Sequence, residues 1–145
     1  MPLDRSFVEL NRAATSRLHA LAGRLTDAQL QRRLGEHWTV AIALAHLAFW
    51  ERRVLVILDN TESSGQLDTF ELDVLANDVS LPLWAAIPPR EALRLALEWT
   101  EAVDRRLENF PPALLEAVYA FNQRWVVRAR HRNDHLDEIE ALLKG

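Results

Sequence analysis

The sequence predicts an all-α protein built as a four-helix bundle, with a long crossover between the second and third bundle helices. Three observations carry that expectation. Leu, Ala, Arg and Glu dominate the 145 residues and only four glycines are present, a balance that favours helix over sheet. Apolar residues recur at spacings of three and four in four long stretches. Strand-like alternation is confined to short, ambiguous apolar runs. At this length one domain, residues 1–145, can bury a core without staples.

The first bundle helix is expected from about Asp4 to Gly23, with Phe7, Leu10, Ala14, Leu18 and Leu21 on one face. "LTDAQLQRRLGEHW" then reads as a short helix, capped by Thr26 or Asp27 and ended by Gly35. The second bundle helix runs from about Val40 to Asp59 with Thr39 as N-cap. It is apolar on most sides up to Trp50, which places it centrally. "NTESSGQLD" reads as a loop and Thr69 to Asn77 as a short helix. "SLPLWAAIPP" reads as a connection, because prolines 82, 88 and 89 disfavour a helix interior. It carries Trp84, placed to cap a pocket or a partner surface.

The third bundle helix begins at Pro89, a favoured first-turn residue, and is stopped by "FPP" at 110–112. Its stripe is Leu93, Ala96, Trp99 or Thr100, Val103 and Leu107. A short helical piece follows from Pro112 to Val118. The last helix is expected from Asn122 to Leu143, with Val127, His131, His135, Ile139 and Leu142 inward. The stretch joining the second and third helices is long enough to cross the bundle, so the topology need not alternate up and down.

Composition excludes several classes. There is no cysteine, hence no disulfide framework, thiolate metal site or cysteine nucleophile. The net charge is −4, and "RRL" and "RARHR" are too short to form a basic face for nucleic acid. No signal pattern opens the chain and no run of 18 apolar residues occurs, so the expectation is a soluble, cytoplasmic protein that neither binds DNA nor enters a membrane.

Histidines carry the chemistry. His131 and His135 stand one turn apart and project together, a spacing that can chelate one metal ion. A third ligand must come from another helix. His46 is the candidate, because it shares a side with Ile42, Phe49, Trp50 and Ile57. His19 is offset from its apolar stripe toward solvent, and His37 precedes the second helix as a loop residue. The alternative is three hydrogen-bonded core histidines. Three buried imidazoles would each need a partner, and one shared cation satisfies all of them. Asp134 and Glu138, three residues beyond each histidine of the pair, are candidate acceptors for ligand N–H groups or else solvated carboxylates. Glu51 is expected to pair with an arginine at the surface.

Two stretches carry a resemblance. Trp38-Thr39-Val40, then Leu44-Ala45-His46-Leu47-Ala48, then Trp50-Glu51 resembles the second helix of the DinB/YfiT-like superfamily, and "HRNDHLDEI" resembles its closing histidine pair. Order and spacing agree over nearly the whole chain. Ala41-Ile42 departs from the pattern, where the family is usually polar, and removes a capping-box partner for Thr39. The resemblance implies the bundle with its crossover and a three-histidine metal site at His46, His131 and His135. It also implies a homodimer and a metal-dependent activity with a small substrate: thiol-dependent transfer or isomerisation, of the kind seen in mycothiol-dependent maleylpyruvate isomerase, or hydrolysis. Three imidazoles leave a coordination position open. Zinc or nickel suits such ligands first, with iron and manganese as alternatives. A non-catalytic bundle, with a structural metal or none, is the competing reading.

Overall fold

The computed structural model describes residues 2–145. Helices dominate: α1 (Ser6–Ala22), α2 (Asp27–Leu30), α3 (Val40–Ser64), α4 (Leu75–Ala86), α5 (Pro89–Glu108), α6 (Pro112–Phe121) and α7 (Ala129–Lys144). Two short strands, β1 (Arg33–Leu34) and β2 (Trp38–Thr39), pair antiparallel between α2 and α3. The expected short helix ends at Leu30 rather than at Gly35. Gly35 instead turns the hairpin, at φ 74°.

Long-range ion pairs and hydrogen bonds show the helix directions. Arg12 meets Glu108, Thr15 meets Asp104 and His19 meets Glu101, so α1 and α5 run antiparallel. Arg106 at the end of α5 reaches Asp59 and Glu62 at the end of α3, so these two run parallel. Thr15 bonds Arg132, and Arg17 bonds Asn133 and Asp137, so α1 and α7 are parallel as well. The bundle is up-down-down-up, and the segment 65–88 carries the chain back from the end of α3 to the start of α5. That is the expected crossover.

Termini follow local chemistry. Thr26 and Gln29 form a reciprocal capping box at α2. The Thr39 hydroxyl accepts from the Ile42 amide at 3.1 Å and opens α3. α3 extends past Asp59 through "NTESS" and ends where Gly65 adopts φ 72°, a left-handed C-cap that only glycine takes without steric cost. Val40 to Ala48 are buried without a break, as expected of a central helix.

Further expectations fail on helix extent, among them the short helix from Thr69 to Asn77, where helix begins only at Leu75. The proline-bearing connection is largely helical: α4 includes Pro82 and contains Trp84, which is buried. A proline inside a helix costs about 3 kcal/mol. Burying an indole removes enough apolar surface to return about 4–6 kcal/mol, and Trp84 packs with Ile42, Ala45 and Ala92. The last helix begins at Ala129, not Asn122, because residues 123–125 form a 3-10 turn capped by Asn122.

The apolar core has two main parts. One joins Leu18, Leu21, Leu44, Leu47, Leu93, Leu136 and Ile139. The other joins Phe7, Val54, Leu58, Val103, Leu107, Leu115 and Trp125. The α5 stripe is as expected, with Thr100 rather than Trp99 fully inward. On α1, Leu10 is exposed and Asn11 is buried in its place.

Candidate metal centre

A polar layer contains the fully buried ion pairs of the bundle. Arg132 Nε donates to Glu51 at 2.9 Å, and Arg132 Nη1 donates to Asp104 at 2.8 Å. Arg128 Nε donates to the other Glu51 oxygen at 2.7 Å. Thr15 donates to Asp104 at 2.5 Å, and Asn11 accepts from the Arg128 and Ala129 amides at 2.9 Å. Glu51 and Asp104 balance Arg128 and Arg132, so the layer is neutral. Burial alone would raise the Glu51 carboxyl, but the two guanidiniums outweigh it and hold it below the usual range. The expectation of a surface pair at Glu51 is therefore wrong: its side chain has no exposure.

This layer also explains how α7 is turned. Its most buried line is Arg132, Leu136 and Ile139, so the expected stripe is rotated and His131 and His135 lie at its edge, half-buried. From that edge they face His46 on α3. His46 Nε2 is 3.3 Å from His131 Nε2, and His135 Nε2 is 3.2 Å from it. One nitrogen from each ring lies within 4.8 Å of the other two. Among the described residues no further His, Asp or Glu joins this group.

The spacing suits a metal. Zinc–nitrogen bonds of about 2.0–2.1 Å at tetrahedral angles hold ligand nitrogens about 3.3–3.4 Å apart. Hydrogen bonding alone serves the cluster poorly. Arg128 Nη2 donates to His131 Nδ1 at 3.2 Å. A guanidinium cannot accept, so the neutral His131 ring carries its proton on Nε2 and can donate it to one neighbour, not both. Nδ1 of His46 and of His135 are buried and have no partner among the described residues.

The surroundings are aromatic on one side and open on another. Trp38 lies 4.7 Å from the His46 ring, tilted, and Trp84 meets the same ring edge-on at 5.3 Å. Burial pushes His46 down to about 3, with the neighbouring His135 adding to the effect. Burial, then the Arg128 charge, pushes His131 down to about 2, and burial lowers His135 as well. All are neutral near pH 7, the state a metal requires. Opposite the tryptophans, His46 and His131 form part of the wall of a cavity of about 350 Å³.

The remaining expected residues divide. His19 is exposed and bonds Glu101 at 2.7 Å, and His37 sits exposed in the hairpin turn. Glu138 stands 3.9 Å from His135 Nδ1, beyond a hydrogen bond. Asp134 makes no hydrogen bond to His131; the Arg128 guanidinium occupies the place expected for an acceptor. Arg128, Arg132, Asn11 and Asp104 went unread in the sequence. Their signal was charge on apolar stripes: Arg132 is in register with Leu136 and Ile139, and Glu51 with Leu47, Val54 and Leu58.

An up-down-down-up bundle with three converging imidazoles is a helical scaffold equipped for a divalent ion. The chain belongs to the DinB superfamily, whose family model matches residues 10–139. No curated protein and no solved structure matches it.

Proposed function

We propose that this DinB protein binds one divalent transition metal through Nε2 of His46, His131 and His135, zinc or nickel first and iron or manganese next, and that it is an enzyme acting on a small molecule. The observation that carries the reading is the convergence of three neutral imidazoles at metal-ligand spacing, two of them, His46 and His131, on the wall of an open cavity. A divalent ion held there supplies a Lewis acid that lowers the pKa of a bound thiol or water. The chain's own residues do the rest. Glu51 and Asp104 seat α7 through Arg128 and Arg132, which sets His131 and His135 opposite His46. Metal at His131 Nε2 would require the ring proton on Nδ1 and the Arg128 donor turned away from it. Trp38 and Trp84 keep water from the far side of His46. Thiol-dependent transfer or isomerisation is the favoured reaction class, with hydrolysis second.

Metal analysis of purified protein tests this, with His135→Ala as control. One equivalent is expected in the wild type and loss in the variant. A cobalt-substituted protein separates an open site from a closed structural one: its visible spectrum should shift on adding 2-mercaptoethanol. Failure to bind zinc or nickel at micromolar concentration near neutral pH would end the proposal.

We also propose a cytoplasmic, single-domain homodimer. Leu75, Val79 and Leu83 recur at helical spacing along α4 and are 60%, 68% and 69% exposed, a face that supports self-association. Sedimentation of the wild type against Val79→Glu tests it; a monomeric wild type refutes it.

A further inference from the structure

We infer that the cavity beside the histidines is a binding site for a small organic carboxylate, gripped by Arg53 and Arg124, with an apolar body lying toward His46 and His131. Both arginines line the cavity. Neither has a carboxylate within 4.0 Å among the described residues, although most other arginines of the chain do. Arg53 is half-buried, with its guanidinium 5.0 Å from the centre of the Trp125 ring. It spends one N–H on the Phe70 carbonyl, and among the described residues its Nε and Nη1 have no hydrogen-bond partner and the Arg124 guanidinium makes no hydrogen bond. Unused guanidinium donors on a cavity wall are what a carboxylate's paired oxygens fit.

Charge and wall chemistry narrow the class. Arg128 also reaches the cavity, but Glu51 neutralises it. Glu71 is the one carboxylate on the wall. Set against Arg53 and Arg124, it leaves at most one net positive charge on the wall, and Asp68 beside Arg53 reduces that further, so the wall suits a carboxylate monoanion better than a phosphate dianion. Trp50, Val54, Leu72 and Val74 supply apolar wall, and Trp50 is pinned to Asn77 of α4 by a 2.8 Å hydrogen bond, which keeps the cavity formed. The volume of about 350 Å³ admits a small metabolite rather than a polymer. The orientation toward the histidines rests on the proposed metal site; the anion grip does not.

Calorimetry, with quenching of tryptophan fluorescence as a second readout, tests the grip. The probes are 3-phenylpropionate and 3-mercaptopropionate, each against its neutral amide, and phenylphosphonate. The wild type should bind at least one acid about tenfold more tightly than its amide, the worth of one charge-assisted hydrogen bond pair. Arg53→Gln and Arg124→Gln should each erase most of that preference while zinc content stays unchanged. Arg124 is exposed, so its variant keeps the fold even if the Arg53 variant does not. Preference for the mercapto acid places the acid group on the thiol; preference for the phenyl acid places it on the other substrate. If neither acid outbinds its amide, if Arg124→Gln binds the acids as the wild type does, or if phenylphosphonate binds tightest, the inference is wrong. An arginine-dependent preference in a protein that takes up no metal would sink the metal reading and leave this one standing.

Discussion

Metal affinity should be almost indifferent to mild acid. Ordinary histidines titrate near pH 6.5, so at pH 5 each is about 97% protonated and costs metal binding about thirtyfold. Three such ligands together would lose about 3 × 10⁴ in affinity between pH 7.5 and pH 5. Here burial holds His46 at about 3 and His131 at about 2, so neither is appreciably protonated at pH 5. His135 is shifted the same way. If it kept an ordinary pKa, the total loss would be about thirtyfold, and that is the ceiling. Competition of zinc against a chromophoric chelator, corrected for the chelator's own protonation, measures this at pH 7.5, 6 and 5, with circular dichroism checking the fold at each point. A loss of about a thousandfold or more would show that the rings are not held neutral by their surroundings, and the geometry of the cluster would need another explanation.

The same shifts make the metal-free fold acid-sensitive. His46 and His131 have folded pKa values below the unfolded 6.5, so the unfolded chain binds more protons and stability falls as pH drops from about 6.5 toward 3. Each should cost about 2 kcal/mol at pH 5, read as a lower urea midpoint than at pH 8; an unchanged midpoint contradicts their burial as neutral rings. Glu51→Ala leaves Arg128 and Arg132 buried without their shared partner and should destabilise by about 3–5 kcal/mol, and an effect under about 1 kcal/mol would mean the layer is wet. Gly65→Ala forces a side chain into a left-handed cap at φ 72° and should cost about 1–2 kcal/mol in thermal or urea unfolding, with no change in metal content.

Three of the bundle helices were legible because their apolar residues recur at a period near 3.6, and α3 because its first half is a continuous apolar run marked off by a Thr39 cap; both signals survive without tertiary context. His46, His131 and His135 could be picked out because they stood on or beside such stripes. What the pattern could not convey was rotation: a hydrophobic scale sends Arg132 to solvent, yet it is one of the most buried side chains, and α7 turns to place it there. Pair geometry decides that, and the two acids that make it favourable, Glu51 and Asp104, come from helices remote in sequence. Local rules also misjudged Pro82, whose cost is offset by packing of Trp84 that no window around it reveals.

The neutral layer has a mechanical consequence. Leu- and Ala-rich helices can slide past one another at little cost, since one apolar contact replaces another. Moving α7 by a single turn, about 5.4 Å, would strand two guanidiniums and two carboxylates in hydrocarbon and carry His131 and His135 out of reach of His46. The bundle therefore has one notch at which its last helix can seat, and the notch that aligns the charges is the one that closes the ring of imidazoles.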